Sequence, residues 1–180
     1  DESSKFRIIS TGRLSIRKGT HYLLEAFMSL NLKNSELLLV GDIDKDFKEI
    51  FNKFKHNKNI KYFKSQPEEN LKNFYNISDI FVSCSLEDGF SMVQLQAMAC
   101  GLPIITTYNT GASELIDDGQ EGFVIAIKDL DLLKDRINIL YNNKELRSDM
   151  SIKSYSKARS NLTWSQYGDK ILKFYESVLD

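Results

Sequence analysis

Short apolar runs alternate with stretches of helical period along most of this chain. Phe6–Ser10, Glu36–Val40, Ile60–Phe63, Ile80–Ser83, Pro103–Thr107 and Gly122–Ile125 are four or five residues long and rich in Ile, Leu, Val and Phe. Runs of that length and composition read as strands. Between them, apolar residues recur three, four and seven positions apart, the spacing of one buried helical face. Leu23, Leu24, Phe27 and Leu30 form one such set, Phe47, Ile50, Phe51 and Phe54 another, and Leu71, Phe74 and Tyr75 a shorter one. Strands so short and apolar, separated by helices, predict parallel βαβ units with right-handed crossovers and both sheet faces covered. Beyond Ile125 the pattern is helical only, over Leu130–Tyr141, Glu145–Arg159 and Trp164–Leu179. The expected fold is α/β: a Rossmann-like, doubly wound parallel sheet of about six strands with a C-terminal helical tail, in a single domain over residues 1–180.

Composition narrows the class of function more than it names one. Hydrophobic residues make up 42% and charged residues 27% of the 180 positions, the balance of a globular protein and not of a disordered one. Lys and Arg number 24 against 25 Asp and Glu, a net charge of -1, so no global field favours nucleic acid. No apolar run approaches the roughly 20 residues of a membrane-spanning helix. The opening Asp1-Glu2-Ser3-Ser4-Lys5 lacks the form of a signal peptide and fits a domain excised from a longer protein or a clipped N-terminus. Cys84 and Cys100 form no CxxC pair, and with only His21 and His56 no dedicated metal site is expected. A cytoplasmic location follows as the expectation, with peripheral attachment at the inner face of a membrane left open for the full-length protein.

In a sheet of this kind ligands bind outside the C-terminal ends of the strands, so the strand-to-helix loops carry the chemistry. The first reads Thr11-Gly12-Arg13-Leu14-Ser15-Ile16-Arg17-Lys18-Gly19-Thr20, two glycines around three cations with a helix following. Such a loop suits a phosphate or diphosphate, because a helix start offers unpaired N–H groups, although a solvated basic loop has the same composition. No GxxxxGK[ST] and no GxGxxG occurs, which argues against a P-loop NTPase and a nicotinamide dehydrogenase. The loop from Ser85 leads through Gly89 to Ser91 at the start of another helix, a second potential anion site. On that helix Val93, Ala97 and Cys100 are expected on one buried face, with Gly101 just past its end. Asp88, in the loop, is placed to accept bonds from hydroxyl groups, and Gln96 lies on the first turns of the helix. Glu87 and Asp88 are neighbours in one loop, whereas glycosidase carboxylates flank their bond about 5 to 9.5 Å apart.

The stretch Glu87-Asp88-Gly89-Phe90-Ser91-Met92-Val93-Gln94-Leu95-Gln96-Ala97-Met98-Ala99-Cys100-Gly101-Leu102-Pro103-Ile104-Ile105 resembles the donor-binding signature of the retaining glycosyltransferases of family 4, which have the GT-B fold. Gly12-Arg13-Leu14 through Lys18-Gly19 resembles that family's basic diphosphate loop. Leu38-Leu39-Val40-Gly41-Asp42, Ser78–Ser83 and Gly119–Val124 resemble its other landmarks, in the same order. The resemblance covers essentially the whole chain, and it is to the C-terminal, donor-binding half of a GT-B enzyme. It implies an N-terminal acceptor domain that this chain does not contain, and a terminal helix that crosses back to it. Trp164, Tyr167, Ile171, Phe174 and Val178 on that helix are therefore expected to be partly exposed.

The resemblance also implies residue roles. Arg13 and Lys18 match the cations that clamp the donor diphosphate, and with Asp88 they form the expected catalytic set. Donor contacts are implied for Gly12, Gly41, Lys64, Glu87, Gly89, Phe90, Ser91, Met92, Val93 and Gln96. The family pattern has a glutamate, seven residues, then a second glutamate; here these are Asp88 and Gln96. The first normally meets hydroxyls of the transferred sugar and the second the ribose, so Asp88 is one methylene shorter and Gln96 has lost a charge. Lys64-Ser65-Gln66 stands where the family's backbone meets the nucleobase. The substrate implied is a UDP-, GDP- or ADP-type nucleotide-sugar, the acceptor a glycan or lipid-linked molecule, and no cofactor, metal or nucleic acid is expected. An epimerase on the same fold, or a binding module without catalysis, is the alternative. Asp42-Ile43-Asp44 is read as a turn and helix cap in place of a metal-binding DxD. The seven lysines of residues 44–64 are read as a solvated face, and Glu114 as a sugar contact or a helix N-terminal acid.

Overall fold

The computed structural model describes residues 5–179, so residues 1–4 and 180 lie outside it. Over the described residues the apolar runs become six strands: β1 (Phe6–Thr11), β2 (Ser35–Val40), β3 (Ile60–Phe63), β4 (Ile80–Ser83), β5 (Ile104–Thr107) and β6 (Gly122–Ile125). They form one sheet in the order β3-β2-β1-β4-β5-β6, and every neighbouring pair is parallel. Seven α-helices accompany them among the described residues: α1 (Thr20–Leu30), α2 (Lys48–Asn52), α3 (Glu68–Asn76), α4 (Met92–Ala99), α5 (Leu130–Asn142), α6 (Lys144–Asn161) and α7 (Trp164–Leu179). The expected doubly wound α/β sheet with a helical tail is what the chain builds.

Ile8-Ile9 of β1, Leu37–Val40 of β2, Ile80–Val82 of β4 and Ile104-Ile105 of β5 are uninterrupted apolar runs because both faces of the sheet are covered. Side chains alternate between two cores. Ile8, Leu37, Leu39, Ile80, Val82 and Ile105 join Leu23, Leu24 and Phe27 of α1 and Leu133, Ile137 and Leu140 of α5 on one face. Ile9, Leu38, Val40, Phe81 and Ile104 join Tyr75 of α3, Ala97 and Met98 of α4 and Ala158 of α6 on the other. Each fully buried Leu, Ile or Phe contributes about 1.5–3 kcal/mol relative to exposure, so the two cores hold the six strands in place. Asp129 and Asn143 cap α5 and α6, accepting from Leu132 and Leu146 N–H at 2.9 Å each.

Several boundaries differ from the sequence reading, each for a local reason. β1 runs on to Thr11 because Thr11 stays in register with Val40. β5 starts after Pro103, which has no N–H for a ladder but whose carbonyl accepts from Phe81 N–H at 2.9 Å. The helix expected over Phe47–Phe54 splits into a 3-10 turn, Lys45–Phe47, and the short α2, with Phe54 in the turn beyond. Its periodicity still marked the inward positions, since Phe47 and Phe51 are buried. Asp44 does stand at the cap position of that turn, but its carboxylate makes no capping bond.

The signature helix α4 departs most. Ala97 is buried as expected, but the other fully buried positions are Gln94 and Met98, while Val93 and Cys100 are half-buried. Gln94, Ala97 and Met98, three and four apart, form one ordinary helical face turned away from the expected one, and α6 also packs against α4. Gly101 ends the helix as expected. With φ at 77°, it donates to Met98 O at 2.8 Å while Leu102 donates to Ala97 O at 3.0 Å, the paired bonds of a left-handed helix stop. None of the residues of α7 is buried; Trp164 is 75% exposed, and Tyr167, Phe174 and Val178 are exposed as well. Among the described residues no helix is long and apolar enough to cross a membrane.

Candidate functional site

The strand order puts a topological switch point between β1 and β4. These two strands pair only through Ile8 with Ile80 and Ile9 with Phe81, then part at their C-terminal ends. The loop after β1 leads to α1 on one face of the sheet, and the loop after β4 leads to α4 on the other. Divergence of this kind opens a crevice at the carboxyl ends of the strands, where α/β proteins bind ligands.

Backbone packing fixes the first loop. Leu14 is buried and clamped to the loop after β2, donating to Asp42 O at 2.9 Å and accepting from Asp44 N–H at 3.0 Å. Gly41, in that second loop, lies flat against the first, so that a Cβ there would fall 1.8 Å from Gly12 O. Ser15 Oγ accepts from Lys18 N–H at 3.1 Å, which tightens the turn into Gly19. Gly19 has φ at 61° and touches the end of β4, a Cβ at this position falling 1.9 Å from Cys84 O. Only glycine fits both the left-handed backbone and that approach. The two loops of the crevice are thereby locked together, and the side chain of Lys18 is carried across to the second.

Lys18 Nζ donates to Asp88 Oδ2, joining residues 70 apart in the sequence. Arg17, a residue the sequence reading passed over, joins the same group. Its Nη1 donates to Glu87 O at 2.9 Å and lies 3.9 Å from Asp88 Oδ1, while Arg17 O accepts from Leu86 N–H at 2.9 Å. Three cations between two glycines were the signal for it. Asp88 is in turn held by its backbone, donating to Asn109 O at 3.0 Å, and Gly111 N–H donates to Gly89 O at 2.8 Å. The loop around Thr110 thus braces the signature loop. Arg13 behaves differently: its side chain is 67% exposed and Nη1 sits 3.1 Å from Asp44 Oδ1. The two cations singled out from the sequence are therefore committed to different carboxylates in this structure.

Two helices begin beside the Lys18–Asp88 pair. Gly19 precedes α1 and Ser91 precedes α4, and neither helix has a side-chain cap, in contrast to α5 and α6. Their first-turn N–H groups are left for backbone turns, solvent or a ligand. Ser91 is buried, Glu87, Gly89, Phe90, Met92 and Lys64 are exposed, and Val93 is half-buried. Gln96 is half-buried and bonded to Tyr75 and Glu68. Burial pushes the Cys84 thiol at the end of β4 up to about 12, which makes it a packing group and no nucleophile. Phe90 and Met92 also line, with Trp164 and Tyr167, an open apolar pocket of about 490 Å³. Among the described residues no three His, Cys, Asp or Glu side chains gather as a metal site would require.

Beneath the signature loop lies a polar cluster that periodicity did not reveal. Thr110 Oγ1 lies 3.2 Å from Thr106 Oγ1, and Thr107 Oγ1 donates to Ser85 O at 2.5 Å. Gln94 is fully buried here; its Nε2 reaches Thr110 Oγ1 only at 3.4 Å, and its Oε1 has no partner among the described residues. An unsatisfied buried carbonyl costs about 1–3 kcal/mol, whereas an apolar group of the same shape costs nothing of the kind. Gln94→Met is therefore expected to raise the melting temperature by about 2–6 °C. A thermal melt showing a fall of that size would mean that the amide is satisfied by solvent.

Comparison with known proteins identifies the family and agrees with the fold. The profile of the family described as "Glycosyl transferases group 1" matches residues 2–157. Spore coat protein SA of Bacillus subtilis is 29% identical over 94% of this chain and 48% of its own length. The capsular polysaccharide biosynthesis glycosyltransferase CapM of Staphylococcus aureus is 25% identical over 98% of this chain and 47% of its own length. The chain thus spans about half the length of these curated relatives. Among solved structures, the C-terminal domain of the group 1 family protein LpcC from Francisella tularensis superposes with a TM-score of 0.82 at 20% identity, covering 88% of this chain and 87% of that one. Anabaena HepE, in complex with UDP, superposes with a TM-score of 0.87 at 21% identity, covering 98% of this chain and 50% of its own.

Proposed function

Since the chain belongs to the family of glycosyl transferases group 1, we propose that it is the donor-binding domain of a retaining, hexosyl-transferring enzyme that takes its sugar from a nucleotide-diphosphate donor. The acceptor in this reading is a glycan or a lipid-linked molecule, brought by an N-terminal domain. The observation that carries it is the Lys18–Asp88 pair, set in the switch-point crevice between two uncapped helix starts. HepE has been solved with UDP and with UDP-glucose, which supports a nucleotide-sugar as the ligand class.

The chemistry follows from charge. Breaking a glycosyl–phosphate bond leaves negative charge on the diphosphate, and fixed cations and N–H groups stabilise it most where it develops. Lys18 and the first-turn amides of α1 and α4 supply these groups, with Arg17 close behind. Asp88 faces the same space with a carboxylate that can receive a sugar hydroxyl. Arg13 reaches a diphosphate by leaving Asp44, and an exposed pair of that kind is worth only about 0–1 kcal/mol, so the exchange is cheap.

Titration calorimetry of the chain with UDP, GDP and ADP tests the proposal. At least one is expected to bind, and Arg13→Ala to weaken it about tenfold through loss of a charge-assisted hydrogen bond. No heat with any of the three would remove the donor reading, and unchanged affinity in the variant would remove Arg13 from it.

A further inference from the structure

Gln96 stands where the signature resembled by this chain has a glutamate, and the structure shows what its amide does. Tyr75 OH donates to Gln96 Oε1 at 3.4 Å, and Gln96 Nε2 donates to Glu68 Oε1 at 2.9 Å. Tyr75 is itself buried, with Thr11 Oγ1 at 2.9 Å from its hydroxyl. Burial, with further contributions from Cys100 and Glu68, pushes the Tyr75 hydroxyl up to about 12 against the opposing bond from Thr11. The phenol therefore remains a donor at ordinary pH. A carboxylate only accepts, so Glu68 fixes the amide with its nitrogen outward and its oxygen toward Tyr75.

This row of bonds runs from the end of β1 to the start of α3, along the edge of the crevice that holds the Lys18–Asp88 pair. Glu68 opens α3 just after the β3 loop and is exposed, and Gln96 lies one turn into α4. After these bonds Gln96 keeps one N–H to give, and Glu68 keeps Oε2 free to accept. Together they match a vicinal diol, whose one hydroxyl donates to the carboxylate while its neighbour accepts from the amide. Helix-dipole compensation does not by itself account for Glu68, because Glu69 stands in the same first turn and makes no such bond to Gln96.

We propose that Glu68 is a specificity-determining residue of the donor site: it receives a ribose hydroxyl of the nucleotide and supplies, from α3, the charge that α4 lacks at Gln96. The inference rests on the donor reading above, and the test separates the two. The ligands are whichever of UDP, GDP and ADP binds the wild-type chain and its 2′,3′-dideoxy counterpart.

Glu68→Gln keeps an acceptor for the Gln96 amide and removes only the charge. It is expected to weaken the ribonucleotide about tenfold and leave the dideoxynucleotide unchanged. Gln96→Glu alone is expected to gain no affinity, because two carboxylates about 3 Å apart repel. The double variant Glu68→Gln with Gln96→Glu exchanges the charge and is expected to return ribonucleotide affinity to within about twofold of the wild type. Equal ribonucleotide affinity in Glu68→Gln and wild type, or an equal loss for both ligands, overturns the proposal while leaving the donor reading intact. Absence of binding of any nucleotide to the wild-type chain overturns both.

Discussion

Gly19→Ala is expected to lower the melting temperature by roughly 10 °C and to abolish nucleotide binding at temperatures where the wild type is folded. Two costs add at this position. Alanine in the left-handed backbone region costs about 1–2 kcal/mol, and the structure holds Gly19 there with φ at 61°. The new Cβ also falls 1.9 Å from the carbonyl oxygen of Cys84, a backbone atom at the end of a buried strand. A flexible side chain could swing aside, but a carbonyl anchored by the sheet moves only if β4 or the first loop moves. Overpacking of this kind costs about 1–3 kcal/mol, so the total is about 2–5 kcal/mol, at roughly 2–4 °C per kcal/mol for a domain of this size. Gly89→Ala is the control. It lies in the facing loop with nothing within 4 Å of a Cβ and no positive φ, and its melting temperature is expected to stay within about 2 °C of the wild type. A Gly19→Ala melt as mild as that of Gly89→Ala would show that the two loops are not locked through this contact.

Gly19 also marks the limit of what the sequence discloses. Its presence beside three cations and before an apolar helix pointed to a ligand loop, because glycine, charge and helix start are local properties. The six strands were legible for the same reason: runs such as Leu37-Leu38-Leu39-Val40 are apolar without interruption only when both faces are covered. Parallel pairing followed from the helices between them. What periodicity does not encode is which side chain answers which across the fold. Lys18 and Asp88 meet over a separation of 70 positions, Arg13 and Asp44 over 31, and Gln96 and Glu68 over 28. Each depends on strand order and on the direction in which a loop leaves the sheet. Gln94 was hidden for a related reason. A polar residue on a helix reads as an outward position until the distant segment that covers it, here the loop carrying Thr110, is known. The charges of the two loops were thus legible in the sequence, and their pairing only in the structure.

That pairing sets the second large effect. Lys18 is engaged by Asp88, and both side chains are mostly shielded, at 21% and 13% exposure. A diphosphate entering the crevice must compete with this carboxylate for the ammonium group and also meets its repulsion. Lys18→Ala is therefore expected to weaken the nucleoside diphosphate and the nucleotide-sugar alike, by about 10- to 100-fold, the range of a charge-assisted hydrogen bond. Asp88→Asn is expected to divide the two ligands. Nucleoside diphosphate without sugar should bind roughly fivefold more tightly, since about 1 kcal/mol of competition and repulsion is removed. The intact nucleotide-sugar should gain less or lose affinity, because a sugar hydroxyl then forfeits its charged acceptor at a cost of about 1.5–3 kcal/mol. Calorimetry of both variants with both ligands decides the matter. Higher affinity for diphosphate with lower affinity for the sugar conjugate assigns Asp88 to the sugar and Lys18 to the phosphates. A parallel fall for both ligands in Asp88→Asn would instead make Asp88 a support that holds Lys18 in place, with the sugar recognised elsewhere.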